Sequence, residues 1–202
     1  MTLDRSAQIL LPDPLPTSDV ELARLVETIV IPHADAAQAV AYEAYLADRR
    51  LAGLPDDYRP TIRPYSDAKA GSLVGWAKNL SSSEAGLTGL IVGGISKRIN
   101  GAARELISGA TVQDRSARGW QRVARGTSCR FCQMLAGRGA VYTQASSRFA
   151  SHDNCGCMAV PAWDGKPVPV AAYTPSDRDI PESQKRQVKK WLADNAAMFE
   201  DP

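Results

Sequence analysis

The chain has 202 residues, of which 23% are charged and 44% hydrophobic, and its formal net charge at pH 7 is +2. These values fit an ordinary soluble protein of one or two domains. No apolar run reaches the roughly 18 residues that a membrane-spanning helix needs, so no membrane partner is expected. The first residues lack a positive start followed by an apolar core, so no secretory signal is expected either.

Residues 1–16 are predicted to form an extended, proline-rich arm, because closely spaced prolines disfavour a helix. A helical domain is predicted to follow over residues 17–125. Its first helical segment covers residues 18–52 and begins at the N-cap residue Ser18. Pro32 interrupts the pattern, which leaves either one long, kinked helix or two abutting helices. Many alanines on one face favour close helix–helix approach, within the chain or with other copies of it.

Two shorter segments continue the helical pattern. Ser66-Asp67 is predicted to cap a short helix that ends at about Asn79, and Ser81-Ser82-Ser83-Glu84 is predicted to cap another. Gly93 and Gly94 then either break this helix or allow another backbone to approach it, since glycine costs roughly 1 kcal/mol in a helix. Helical periodicity is expected again over residues 98–125.

All four cysteines and one of the two histidines fall within a short stretch with the spacing C-x2-C, nineteen residues, H-x2-C-x-C. The candidate metal ligands are Cys129, Cys132, His152, Cys155 and Cys157. Zn²⁺ prefers four tetrahedral sulfur or nitrogen ligands, so any four of these five would complete a site. Two disulfides and four free thiols remain as alternatives.

The zinc interpretation predicts a structural site and no enzyme activity. A catalytic zinc needs an open coordination position and a base, whereas five candidate ligands favour a closed site. Metal would also stabilise residues 126–170, which are glycine-rich and have few large apolar side chains. Within this segment, a short strand near 137–143 is predicted to pair with one near 158–163.

The predicted fold class is therefore mainly α. The extended arm and helical region precede a small Cys/His-stabilised α+β module at 126–170. A linker and a C-terminal helix occupy 171–202, with the helix opening at Ile180-Pro181-Glu182.

Positive charge is concentrated in the middle of the chain. Residues 97–148 contain ten Lys or Arg against two acidic residues. This asymmetry suggests a polyanion or an acidic protein as partner, and a solvated basic face is the alternative. The candidate nucleic-acid-binding or partner-binding residues are Lys97, Arg98, Arg104, Arg115, Arg118, Arg122 and Arg125.

The residues around the cysteines carry a family resemblance. Trp120, the stretch 128–142, the stretch 152–157 and Pro161 together resemble the C-terminal signature of MuF-like minor head proteins of tailed bacteriophages. The resemblance implies a portal-associated protein present in few copies, which acts in head assembly and DNA packaging or ejection. It implies the portal protein as partner, with the major capsid protein and packaged DNA as further candidates. The implied location is the virion, in the head interior or portal region, and the host cytoplasm during assembly.

A nucleic-acid-binding zinc module with a regulatory role is the alternative function. An HNH-type nuclease is a weaker enzymatic alternative, since His152-Asp153-Asn154 superficially suits one. That chemistry needs a histidine base and further metal ligands, and His33 is the one other histidine in the sequence. Composition and spacing alone do not separate a structural role from a nucleic-acid-binding role.

Overall fold

The computed structural model describes residues 10–124, 130–139, 142, 149, 151, 155–164 and 182–194. Its helices are α1 (Asp19–Leu51), α2 (Ala70–Leu80), α3 (Glu84–Gln113), α4 (Arg130–Ala136) and α5 (Glu182–Asp194). Its strands are β1 (Gly119–Val123) and β2 (Met158–Ala162). The predicted fold class, mainly α with a small α+β module, is confirmed.

The first helical segment is one helix. The hydroxyl of Ser18 accepts a hydrogen bond from the Glu21 N–H at 3.5 Å, as the predicted cap requires. Helix α1 then continues through Pro32, so the alternative of two abutting helices is wrong. Because α1 packs along α3 and α2, tertiary contacts stabilise a helix that the proline alone would weaken.

Helix α2 begins later than predicted. Lys69 has a positive φ of 46°, and the Asp67 carboxylate accepts the Lys69 N–H at 2.8 Å. Residues 66–69 therefore form a turn, and the helix starts at Ala70. The predicted cap of α3 is confirmed, since the Ser83 hydroxyl accepts the Gly86 N–H at 3.1 Å.

The three long helices share an N-terminal core. The arm contributes as well, because Leu11 packs against this core and Leu15 is buried in it. Residues 1–9 of the predicted arm lie outside the described residues. The central side chains of the N-terminal core are Leu22, Val26, Val30, Leu73, Val74, Ile91 and Ile95.

Helix α3 does not break at its glycine pair. Gly94 instead gives room to the side chain of Leu73 in α2, with which a methyl group at position 94 would overlap. The predicted alternative of a close approach is thus correct in kind, although the approaching group is a side chain. Gly101, two turns further on, has no heavy atom within 4 Å of the position of its missing Cβ atom.

These two glycines make a matched pair of variants. We expect Gly101→Ala to raise the free energy of unfolding by up to about 1 kcal/mol, because it improves helix propensity without a clash. Gly94→Ala should lower that free energy by about 1–3 kcal/mol, since Leu73 must shift within a packed core. Urea denaturation of the two variants measures whether each change raises or lowers the free energy of unfolding. Adding Leu73→Ala to Gly94→Ala should remove most of the overpacking cost, and strictly additive effects of the two changes would contradict this explanation.

Helix α3 ends at Gln113, so the prediction of helix up to residue 125 is wrong. The turn is made by Asp114, whose carboxylate accepts the Ser116 N–H at 2.9 Å and is buried against residues of α1. Strand β1 follows and pairs antiparallel with β2, with Trp120 opposite Pro161. Strand β1 has only five residues, which is too short for its alternating pattern to be recognised after the long helical periodicity that precedes it.

Strand β1 also bears on the predicted pairing of residues 137–143 with residues 158–163. Trp120 forms a bridge with Tyr142, to which it donates its N–H at 2.9 Å. Of the predicted strand near 137–143, the structure describes residues 137–139 and 142, and Tyr142 bridges to β1. The predicted strand near 158–163 is β2, which also pairs with β1. The Trp120 side chain is buried and stacks on the rings of Tyr142 at 4.2 Å and Phe149 at 5.5 Å.

A second cluster, the sheet core, joins this sheet to the helices. Its buried members are Ala41, Tyr45, Ala103, Leu106, Ile107, Ala110, Trp120 and Ala159. The small sheet thus packs on the C-terminal half of α3 and is continuous with the helical region rather than separate from it.

The predicted C-terminal helix is confirmed as α5, and the predicted residues beyond Asp194 lie outside the described part of the chain. Among the residues that the structure describes, no helix is long and apolar enough to cross a membrane.

Candidate metal centre

Three of the five predicted ligands meet at one buried point. Cys132 lies on α4, and Cys155 and Cys157 lie immediately before β2. Their sulfur atoms all lie within 4.8 Å of one another, and those of Cys132 and Cys155 are 3.5 Å apart. A tetrahedral zinc with Zn–S bonds of about 2.3 Å places its sulfurs roughly 3.8 Å apart. The cluster can therefore hold a metal ion.

No disulfide joins these three cysteines to one another, and the sulfurs of Cys132 and Cys155 lie 3.5 Å apart. A disulfide needs a sulfur–sulfur distance of about 2.0 Å. Cys129 and His152, the other two predicted ligands, lie outside the described residues. Of the C-x2-C pair, the structure describes Cys132, which lies on the short helix α4.

Arg104 connects the cysteine cluster to the helical core. This residue of α3 is 1% exposed. Its Nε donates to the Cys157 carbonyl at 2.8 Å, and its terminal nitrogens donate to the Cys155 carbonyl and to the Ser151 hydroxyl at 3.1 Å. One side chain thus fixes the backbone of both C-terminal cysteines against α3. Burial lowers the pKa of the Arg104 guanidinium, and the nearby cysteine sulfurs oppose that shift.

Arg122 reaches the same cluster from β1. Its side chain is 3% exposed, and its Nη1 lies 4.0 Å from the Cys132 sulfur. The Phe149 ring lies beside both arginines, with its centroid 3.8 Å from Cζ of Arg122 and 4.9 Å from Cζ of Arg104. Two cations, three sulfurs and an aromatic face therefore make up the described part of the site.

The seven basic residues predicted to bind a partner do not form one surface. Arg104 and Arg122 are buried at the cysteine cluster, and Arg98 donates to the carbonyls of Ala68 at 2.6 Å and Gly94 at 3.0 Å. The members that are exposed in the structure are Arg115 and Arg118, Lys97 is half-buried, and Arg125 lies outside the described residues. Partner binding by the exposed arginines stays a prediction.

Sequence reasoning missed the role of Arg104 and Arg122, although a signal was present. Arg122 is two residues after Trp120, so in a strand both side chains point to the same face. Arg104 precedes Ile107 by three residues, so on a helix it shares the apolar face. The other histidine, His33, lies away from this cluster on α1, where its Nδ1 is 2.7 Å from the Ile29 carbonyl oxygen.

A groove is the second feature of the surface. It has a volume of about 1010 Å³ and lies between α1, α3 and β2. Its walls include Ala36, Ala37, Val40, Ala44, Ile99 and Val160. Val40 is 70% exposed, so the apolar wall is open to solvent. The groove contains the alanine-rich face of α1 that the sequence predicted for close helix approach.

Comparison with family models assigns most of the chain to a family. The family model described as VG15 protein matches residues 7–179, which is most of the chain. Neither the curated proteins nor the solved structures include a significant match to the chain. The matched range contains all three long helices, the sheet and the cysteine cluster. The chain therefore belongs to the VG15 protein family, a family of bacteriophage proteins.

Proposed function

We propose that this protein is a minor head protein of the phage virion, associated with the portal, that acts in head assembly and in DNA packaging or ejection without catalysis. The observation that carries the proposal is the VG15 family match over residues 7–179. The MuF-like pattern of residues 128–157 supports the finer role. Three cysteines of that pattern lie together at one buried cluster, as a shared structural element would require.

The cysteine cluster is proposed to hold a structural Zn²⁺. The geometry of the three described sulfurs fits a tetrahedral thiolate site, and their burial supports a structural role rather than a catalytic one. When bound, the metal supplies a cross-link between α4 and the start of β2. This chain's own residues, Arg104 above all, hold the cysteine backbone in place for it.

The groove is the proposed contact surface for the portal protein. Small side chains along α1 permit close approach of a partner backbone, and the exposed apolar wall gives the contact a hydrophobic component. The exposed arginines Arg115 and Arg118 are proposed to face packaged DNA or an acidic surface of the portal or major capsid protein.

Quantitative mass spectrometry of purified phage particles tests the assignment. The expected result is a few to roughly a dozen copies of this chain per particle, scaled to the portal protein. Val40→Glu in the groove should reduce that copy number severalfold. Val20→Glu is the matched control, since Val20 is 67% exposed on the same helix but does not line the groove. Absence from particles despite abundance in infected cells would sink the proposal and favour the regulatory nucleic-acid-binding role.

A further inference from the structure

Strand β2 forms one edge of the sheet. Within the described part of the chain the sheet order is β1–β2, so β1 covers one side of β2 and no strand covers the other. Every residue of β2, from Met158 to Ala162, lines the groove between α1, α3 and β2. The groove therefore runs along the uncovered edge of this strand.

The register shows which backbone groups of β2 point to that edge. The Arg118 N–H donates to the Ala162 carbonyl at 2.8 Å, so this carbonyl faces β1. Trp120 lies opposite Pro161 but exchanges its backbone hydrogen bonds with Tyr142, at 2.9 Å and 3.4 Å. Trp120 and Pro161 are therefore a non-hydrogen-bonded pair. Proline lacks an N–H, and at such a position the ladder with β1 does not require one.

The backbone of Ala159 points to the same edge. Hydrogen-bonded and non-hydrogen-bonded pairs alternate along an antiparallel ladder, so Ala159 and the opposite residue, Arg122, are also a non-hydrogen-bonded pair. The N–H and C=O of Ala159 and the C=O of Pro161 thus point away from β1, on the side of the groove. Ala159 is 3% exposed, and no described group bonds to its backbone. Buried backbone groups nearly always have partners, and an added strand would supply them.

The walls of the groove suit an extended segment. A strand that pairs with β2 lies about 4.8 Å from it. The wall formed by α1 consists of small side chains such as Ala37, Ala41 and Ala44, so a partner backbone can come close. The floor includes Ile99 and Ala103 of α3, toward which every second side chain of an added strand would point. Apolar residues are therefore expected at alternate positions of the segment.

The charge of the groove adds a second requirement. The charged residues among its described walls are Asp48 and Asp164. They lie at the same end, because the Asp48 carboxylate accepts the indole N–H of Trp163, the neighbour of Asp164, at 3.0 Å. A Lys or Arg at the corresponding end of the segment would complement these two carboxylates.

We propose that the groove binds an extended segment of the portal protein, which adds to the free edge of β2 as a further strand. The segment carries apolar side chains at alternate positions and a Lys or Arg at the end near Asp48 and Asp164. In this mode of recognition, backbone hydrogen bonds give affinity and side-chain pockets give specificity. The inference rests on the proposed contact between the groove and the portal protein, and it adds the conformation and chemistry of the bound segment.

Hydrogen exchange at Ala159, followed by NMR on the full-length protein, tests the edge directly. In the free protein its amide should exchange faster than those of Val160 and Ala162, which donate to β1. The probes are overlapping peptides of about 12 residues, longer than a typical strand, that cover the portal protein of the same phage. A binding peptide at ten times its dissociation constant should slow the Ala159 amide about tenfold. A slow amide in the free protein would mean that the chain's own arm or a second copy occupies the edge, and would overturn the proposal.

Backbone N-methylation of the bound peptide distinguishes a strand from a helix. Two peptide amides, two residues apart, should donate to the carbonyls of Ala159 and Pro161. Methylation of either should weaken binding about tenfold, because it removes the donor to a buried acceptor. Methylation of the amide between them should leave the affinity unchanged, since that amide points away from β2. Equal losses at all three positions would indicate a bound helix and overturn the proposal.

Variants of the groove locate the bound peptide. Val40→Glu should weaken binding of the selected peptide about tenfold, because it places a carboxylate against the apolar part of the segment. Val20→Glu, exposed on the same helix but outside the groove, should leave the affinity unchanged. Asp164→Asn should weaken binding about threefold, as loss of an exposed ion pair does. An affinity that Asp164→Asn leaves unchanged would overturn the charge requirement.

The outcomes for particles and for peptides separate this inference from the proposed function. Absence of the chain from phage particles would overturn the portal contact itself. A chain that is present in particles in a Val40-dependent copy number, but binds none of the portal peptides, would overturn strand addition alone. Binding with protection of the Ala159 amide and the alternating effect of N-methylation would establish it.

Discussion

Replacing Asp114 by alanine is expected to lower the free energy of unfolding by about 3–5 kcal/mol, because it removes the buried partner of a buried arginine. Asp114 and Arg49 form an ion pair in which their side chains are 2% and 3% exposed. The Tyr45 hydroxyl also donates to Asp114, at 2.9 Å. Removing the carboxylate deprives both donors of their shared buried acceptor. Arg49 keeps the Pro55 carbonyl at 2.7 Å, and its other carboxylate partner, Asp57, is 68% exposed.

The location of this ion pair explains why its loss should be global. Arg49 lies near the end of α1, and Asp114 directly follows α3, so the pair joins the two longest helices. Burial, followed by the hydrogen bond to Asp114, raises the pKa of Tyr45 well above its ordinary value, so its hydroxyl remains a donor at neutral pH. Tyr45 also packs edge-on against Trp163 at 5.4 Å, next to the end of β2. Helices and sheet therefore meet at this point.

Urea denaturation of Asp114→Ala in zinc-containing buffer measures the effect. Asp56→Ala is the matched control, because Asp56 pairs with Arg59 at 2.6 Å but their side chains are 72% and 49% exposed. An exposed pair of this kind contributes about 0–1 kcal/mol. Comparable losses in the two variants would mean that burial of the Asp114 pair adds nothing to stability.

The helices were predictable because their signals are local. Ser18 and the serine run 81–83 were identified as caps from sequence, and the structure shows Ser18 and Ser83 in that role. The start of β1 was not predictable in the same way. It depends on Asp114 being held by residues of α1, and no window of sequence around residue 114 contains those partners. Hydrophobic periodicity identifies a helix or strand along its length, whereas tertiary contacts determine where such an element begins or ends.

In the candidate site, too, the local features were predictable from sequence and the tertiary ones were not. Cysteine spacing predicted the cluster, since C-x2-C and C-x-C bring their sulfurs together locally. The charge count of residues 97–148 treated every arginine as a surface group. Arg104 and Arg122 are buried beside the cysteine cluster instead, so part of the apparent basic patch lies in the protein interior. The sequence gives the number of charged side chains in a segment, whereas the fold determines which of them are buried and which are exposed.

Removal of the proposed zinc should have the second large effect, on the order of 10 kcal/mol for a structural zinc at neutral pH. The sequence alone predicts that residues 126–170 then unfold while the N-terminal helices stay folded. The structure moves this boundary, because β1 is held by β2 on one edge and by Tyr142 on the other. We therefore expect β1 to lose its structure together with the cysteine cluster.

Hydrogen exchange with and without a zinc chelator locates that boundary. Amides of β1 and β2 should lose protection when zinc is removed, and excess Zn²⁺ should restore it. Amides of the N-terminal core, such as those of Val26 and Ile95, should remain protected, since their packing involves none of the cysteines. Protection of β1 that survives chelation would place it in the helical region, as the sequence predicted. Loss of protection in all segments would mean instead that Arg104 transmits the loss of metal through α3 to the whole fold.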